Sequence, residues 1–354
     1  MSRFFSEKYN TLTPYTPGEQ PRDQQYIKLN TNESPFPPSP MAQKMAQEEA
    51  GKLQLYSDPT CAALTAAGAK ALGINEDEIV FSNGSDEVLN FAFMAFCDET
   101  HPAIFPDITY GFYKVFARLN GVPYEEIPLK SDFSIDPVDY KGKNATIFIA
   151  NPNAPTGLYL GLDIIEEIVA SNPDNVVVID EAYIDFGGES AIPLTEKYDN
   201  LLVVQTFSKS RSLAGGRLGF AVGCKALIQD LNTMRFSTNP YNVNRMTMAA
   251  GVGALEDVDY FRSNCQTIIT NRAWTIEALE KLGFTTLPSL TNFVFTKNET
   301  LPGKDYYLRL KAKGILVRHF DTPRLTDFVR VTIGSQDQMA AFINATKEIL
   351  EETK

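Results

Sequence analysis

The chain has 354 residues, 44% hydrophobic and 21% charged, with a formal net charge of −12. That length supports a large core and two domains, and the composition is that of an ordinary soluble globular protein. The acidic balance argues against nucleic acid or an anionic membrane as main partner, so any bound phosphate must be held by a local cluster of donors.

Cys61, Cys97, Cys224 and Cys265 show neither CxxC nor metal spacing. They read as buried free thiols of a cytoplasmic protein, with no metal site. Residues 1–9 lack the apolar core of a signal peptide, and no apolar run approaches the ~18 residues of a membrane span.

Residues 1–40 read as an irregular arm. The prolines of Thr13-Pro-Tyr-Thr-Pro-Gly and Ser34-Pro-Phe-Pro-Pro-Ser-Pro continue neither a helix nor a central strand. A short strand is expected at 26–30, and the prolines stiffen the arm enough to reach a neighbour. Residues 41–72 are helical in pattern, broken at Tyr56-Ser-Asp-Pro. Strands are then expected at 79–82, 103–105, 145–150, 176–179, 201–204 and 218–222, with helices at 87–96, 110–118 and 162–170. Short apolar strands alternating with helices predict a mainly parallel sheet covered on both faces. Near residue 258 the pattern changes. A helical stretch spans 260–282, strands are expected at 293–296, 315–320 and 328–333, and the last helix opens on the capping box Ser335-Gln-Asp-Gln. The expected fold is α/β, with a large domain at 41–257 and a smaller α+β domain at 258–354.

The loop Thr206-Phe-Ser-Lys-Ser-Arg-Ser-Leu-Ala-Gly-Gly-Arg-Leu-Gly joins two of these strands and sets Lys209 among small residues, with Arg217 eight positions on. A Schiff-base lysine needs a fixed position, a route to its neutral form and donors for an anionic cofactor. A glycine-rich loop equally suits a solvated lysine. Asp180 follows the strand at 176–179, where parallel sheets bind ligands. It is either a turn cap or a carboxylate that keeps a pyridine nitrogen protonated, with Tyr183 in reach of the same ring's phenolic oxygen. Gly84, Ser85 and Asp86 open a helix, as an anion site or only a cap. Ser208, beside Thr206, and Arg217 add a hydroxyl and a guanidinium. Tyr110, at another strand end, stacks on a planar ring or packs in the core. Asn151-Pro-Asn-Ala-Pro-Thr-Gly is a proline-rich turn. Arg330 projects from one face of its strand, as an ion-pair residue or as a clamp for a carboxylate.

Together these motifs resemble the fold-type-I, pyridoxal-phosphate-dependent aminotransferases. Leu12-Thr-Pro-Tyr-Thr-Pro-Gly-Glu-Gln-Pro and Lys28-Leu-Asn-Thr-Asn-Glu-Ser-Pro further resemble the histidinol-phosphate aminotransferase family. The resemblance implies that Lys209 carries pyridoxal 5′-phosphate as a Schiff base and shuttles the substrate's α-proton. Asp180 then holds the pyridinium, Tyr183 the ring oxygen, and Tyr110 stacks on the ring. Gly84, Ser85, Ser208 and Arg217 bind the cofactor phosphate, and Asp86 and Thr206 are further cofactor-binding residues. Tyr56 reaches the cofactor of a neighbouring subunit, which implies a homodimer with shared sites. Arg330 clamps the α-carboxylate of glutamate, Tyr15 and Arg318 meet the phosphate of the amino substrate, and Tyr241 and Asn244 line the pocket. One departure stands out: many relatives carry Asn before Pro-Thr-Gly, bonded to the ring oxygen, where this chain has Ala154. Either Asn153 replaces it or Tyr183 acts alone. The expected reaction is ping-pong transamination between L-histidinol phosphate and 2-oxoglutarate. An aromatic amino acid aminotransferase is the nearest alternative, before an amino-acid-phosphate decarboxylase or a non-catalytic binding protein.

Overall fold

The computed structural model describes residues 2–10 and 12–352. After β1 (Ile27–Lys28) come α1 (Pro40–Ala50) and α2 (Ala62–Leu72). An alternating run follows: β2 (Ile79–Ser82), α3 (Ser85–Phe96), β3 (Ala103–Pro106), α4 (Phe112–Asn120), β4 (Tyr124–Ile127) and β5 (Thr146–Ala150). It continues through α5 (Leu162–Ala170), β6 (Val177–Asp180), β7 (Leu201–Thr206) and β8 (Gly219–Gly223). Helices α6 (Lys225–Thr238), α7 (Arg245–Glu256) and α8 (Val258–Lys281) lead to β9 (Phe284–Thr286) and β10 (Phe293–Asn298). The chain ends with α9 (Gly303–Ala312), β11 (Ile315–Leu316), β12 (Arg318–His319), β13 (Phe328–Thr332) and α10 (Gln336–Glu351).

The large sheet has the order β2-β8-β7-β6-β5-β3-β4. Only β8 opposes its neighbours, so the other strands share one direction and deliver their carboxyl ends to one edge. Successive residues feed two cores. Ile147, Ile149, Val177, Ile179, Leu201 and Val203 enter one, while Phe148, Val178, Leu202 and Val204 enter the other. Burying each such side chain contributes about 1.5–3 kcal/mol. With both faces covered, the strands are apolar throughout instead of alternating.

The second sheet, β12-β13-β10-β9, is antiparallel. Val294, Val331, Tyr306 and Phe342 share its core with Leu29 from the N-terminal arm. The arm is held there by β1, which pairs in parallel with β11, Ile27 opposite Ile315.

The strand expected at 315–320 is two pieces in two sheets. Ile315, Leu316 and Val317 are buried apolar residues, whereas Arg318 and His319 are half-buried beside β13. The chain changes partner where its character changes from apolar to charged. The strand expected at 26–30 pairs only at Ile27 and Lys28. Beyond it Asn30 and Asn32 turn inward as buried amides, and Asn32 has φ 56°. β4 escaped notice because Glu125 and Glu126 interrupt its apolar pattern, as suits a sheet edge. Among the described residues, no helix is long and apolar enough to cross a membrane.

Candidate active site

The carboxyl edge of the large sheet opens into a cavity of about 340 Å³. At one end β2 passes into α3 through Gly84, which has φ 77° and provides no side-chain cap. The first N–H groups of α3, at Ser85 and Asp86, therefore start without a side-chain acceptor from the N-cap. Two glycines let the backbone and Arg217 close in. A Cβ on Gly84 would lie 2.4 Å from Arg217 Nη2, and one on Gly219 would lie 2.3 Å from the Ser85 nitrogen. Arg217, itself at φ 55°, pairs with Asp86 at 2.9 Å. Ser208 Oγ accepts a hydrogen bond from Thr206 Oγ1 at 3.0 Å. A helix start, a guanidinium and two hydroxyls thus converge into a cradle suited to an anion.

Asp180, the last residue of β6, lines the middle of the cavity and is 4% exposed. Tyr113 Oη donates to its Oδ2 at 2.8 Å, whereas Oδ1 is buried without a partner. Burial raises the Asp180 carboxyl to about 6, against the lowering effect of Tyr113. Burial and then the Asp180 charge push the Tyr113 phenol well above its usual value, so it stays a donor. A buried carboxylate oxygen without a partner is costly, and a cation or protonated ring nitrogen beside it removes that cost.

Lys209 lies in the loop between β7 and β8. Its Nζ donates to the Thr31 carbonyl at 3.4 Å and sits 5.8 Å from the Tyr183 ring centre. Tyr183 packs edge-on against Phe293 and accepts a hydrogen bond at Oη from Asn32 Nδ2 at 2.9 Å. Tyr110 lines the same wall and donates to Asp86.

A second cavity of about 560 Å³ shares Thr31, Tyr110, Ala154, Tyr183 and Lys209 with the first. Tyr15, its ring tilted against Phe112 at 4.3 Å, together with Arg318 and Arg330, lines its far side. Arg330 Nη2 donates to the Asn30 carbonyl at 3.2 Å, and its Nε is buried without a partner. Burial, with Arg318 nearby, pushes its guanidinium below the usual range.

Five expected residues are not in these walls: Gly84, which lies behind Arg217, and Tyr56, Asn153, Tyr241 and Asn244. Asn153 cannot stand in for the missing asparagine. Its Nδ2 donates to the Ile108 carbonyl and to Thr156 Oγ1, and its Oδ1 accepts from Thr109. Ala154, not Asn153, faces both cavities. Asn244 caps α7, accepting from the Thr247 N–H at 3.0 Å. Tyr241 stacks on Tyr56 at 4.5 Å, and both are exposed.

Sequence reasoning missed Tyr113, Asn32, Thr31 and Glu33. Thr31 and Glu33 line the first cavity, while Tyr113 and Asn32 bond to its residues. The motif at Lys28 contained three of the four, but nothing in its pattern assigned them roles. Tyr113 looked like one more apolar residue of α4.

One cavity thus brings together an anion cradle, a buried carboxylate with an unpartnered oxygen and the Lys209 amine. Residues 24–345 match the family model for aminotransferase class I and II. The chain belongs to the class I and II aminotransferases, whose cofactor is pyridoxal 5′-phosphate. The histidinol-phosphate aminotransferase of Brachyspira hyodysenteriae is 50% identical, over 99% of this chain and 100% of that one. The histidinol-phosphate aminotransferase of Sinorhizobium meliloti, solved with pyridoxal 5′-phosphate, superposes with a TM-score of 0.90 at 23% identity, covering 100% of this chain and 99% of that one. The L-threonine-O-3-phosphate decarboxylase of Porphyromonas gingivalis has the same fold, with a TM-score of 0.79 at 22% identity over 92% of this chain and 99% of that one. The fold alone therefore does not choose the reaction.

Proposed function

We propose that the chain transfers an amino group between L-histidinol phosphate and 2-oxoglutarate, with pyridoxal 5′-phosphate bound at Lys209. The observation that carries this reading is the pair Arg318 and Arg330 beside Tyr15, in the cavity that also holds Lys209. Both substrates are anions, and one of them carries two carboxylates.

The residues fit the cofactor. The glycine-lined cradle at Ser85, Ser208 and Arg217 suits its phosphate, the unpartnered Asp180 Oδ1 suits a protonated ring nitrogen, and Tyr110 and Tyr183 border the ring's place. When bound, pyridoxal phosphate supplies a conjugated system that accepts the electron pair left at the substrate's α-carbon. Asp180 holds a proton on the ring nitrogen. Lys209 Nζ, as the free amine, removes the α-proton of the amino donor and delivers a proton to the acceptor in the other half-reaction. Arg330 orients the α-carboxylate of glutamate through paired N–H donors. Arg318 and Tyr15 take the distal anion, phosphate or carboxylate.

The active form in this proposal is a homodimer. Leu53, Leu55 and Tyr56 are 57%, 58% and 79% exposed, an apolar group of the kind that marks an interface. Tyr56 lies outside its own cavity walls, exposed beside Tyr241 on the surface that meets a partner in this proposal. The four unpaired cysteines suit the cytoplasm.

Single-turnover absorbance tests the reading. Cofactor-loaded protein mixed with L-histidinol phosphate should convert to its amino form much faster than with L-phenylalanine. Equal or faster conversion with phenylalanine would reassign the substrate to the aromatic amino acids.

A further inference from the structure

Asn32 gives the Tyr183 hydroxyl a second constraint. The asparagine is 1% exposed and sits at φ 56°, a left-handed conformation that asparagine tolerates better than most residues. The C-terminal sheet fixes its orientation. Thr332 Oγ1 donates to Asn32 Oδ1 at 3.0 Å and accepts from the Asn32 N–H at 3.0 Å. Asn292 Nδ2 donates to the Asn32 carbonyl at 3.0 Å. With Oδ1 engaged by a hydroxyl, the amide must present its N–H to Tyr183 Oη, as it does at 2.9 Å.

A phenol has one proton to donate. Asn32 fills an acceptor place on Oη, so that proton cannot be turned towards the asparagine. Tyr183 also lines the cavity that holds both Asp180 and Lys209, whose walls do not include Asn32. Ala154 has no side-chain donor to share the task there, and the Asn153 amide is engaged elsewhere.

We propose that Asn32 is a positioning residue that commits the only proton of Tyr183 to the ring oxygen of the cofactor. Accepting a hydrogen bond also makes the phenol a better donor. A better donor stabilises the ring oxygen as an anion and lowers the pH at which the adjacent Lys209-linked nitrogen gives up its proton. This rests on the cofactor placement proposed above.

The test is a pH titration of the visible absorption band in cofactor-loaded wild type, Asn32→Asp, Tyr183→Phe and the double variant. Aspartate keeps an oxygen for Thr332 but cannot donate to Tyr183, and it draws the phenol proton away from the cavity. The midpoint of Asn32→Asp should rise by about one pH unit, a tenfold change. Tyr183→Phe should rise at least as far, and the double variant no further than Tyr183→Phe. An Asn32→Asp midpoint equal to wild type overturns the proposal. A full additional shift in the Tyr183→Phe background also overturns it, because the effect then bypasses Tyr183. If aspartate at this position prevents folding, Thr332→Val frees the amide and should move the midpoint in the same direction; no movement there overturns the proposal. A wild type without any titrating visible band instead refutes the cofactor placement itself.

Discussion

Arg318 on β12 and Arg330 on β13 stand directly opposite each other in the register of the small sheet. Like charges in that relationship repel, and Arg330 Nε is left buried without a partner. The arrangement makes physical sense as a receptor. Two guanidinium groups held at the wall of one cavity are relieved of their repulsion when an anion arrives between or beside them.

The two arginines should therefore fail differently. Arg330→Ala should reduce the glutamate half-reaction by roughly 10- to 150-fold, the equivalent of one charge-assisted interaction of about 1.5–3 kcal/mol. Arg318→Ala should reduce turnover of histidinol phosphate by a similar factor and narrow its advantage over phenylalanine. Arg330→Lys should not restore the glutamate reaction, because an ammonium lacks the planar pair of donors. Half-reaction rates with each substrate separate these outcomes.

Tyr113 does not itself line the cavity but holds the wall residue Asp180, at Oδ2, at 2.8 Å. Its hydroxyl is what partly offsets the burial that raises the Asp180 carboxyl to about 6. Tyr113→Phe should leave this carboxyl harder to ionise and a poorer partner for a protonated ring nitrogen. The dissociation constant for pyridoxal 5′-phosphate should rise about tenfold in a spectrophotometric titration at pH 7, as for loss of one hydrogen bond to a charged group. Asp180→Ala should raise it further, and an unchanged constant in both variants would refute the pairing.

Glu181, next in sequence, is buried for a structural reason. It accepts hydrogen bonds from Ser190, the Ala191 N–H and Gln205, yet burial still raises its carboxyl to about 7. A carboxyl whose folded value lies above the unfolded one takes up a proton on folding. Its contribution to stability is greatest below the unfolded value and declines as pH rises through the folded value. From 4.5 to about 7, that decline is on the order of 3 kcal/mol. Glu181→Gln should flatten the stability of the cofactor-free protein across this window because an amide does not titrate, and Gln205 can turn its amide oxygen towards the new amide. Urea unfolding at pH 5 and pH 8 checks it: the variant should lose less between the two conditions than wild type.

The sequence made the large sheet legible because both faces of its strands are covered, leaving short apolar runs such as 145–150 and 176–179. It also placed Asp180 after a strand and Lys209 between two strands, which is where β6 ends and where β7 meets β8. Hydrogen bonds across the chain were invisible to it. Asn32 meets Tyr183 from 151 residues away, and Tyr113 meets Asp180 from 67. Asn153 shows the same limit from the other side. Its residue type suited a cofactor contact, but Ile108 and Thr109, distant in sequence, claim its amide. Spacing reports which element a residue occupies, not which partner its side chain finds.

The exposed group at Leu53, Leu55 and Tyr56 gives the last prediction. All three lie in the connection between α1 and α2, where solvent-exposed leucines have no role in either core of the large sheet. If that surface joins two copies of the chain, charge should split them. Leu53→Asp with Leu55→Asp should shift sedimentation from dimer to monomer while thermal unfolding stays cooperative. Because Tyr56 is proposed to complete the partner's cofactor site, the monomer should also hold pyridoxal 5′-phosphate several-fold more weakly. Tyr56→Phe separates assembly from binding: it should remain dimeric, since the ring still packs, and lose cofactor affinity through the missing hydroxyl. A Leu53→Asp, Leu55→Asp protein that sediments as wild type would remove this surface from the interface.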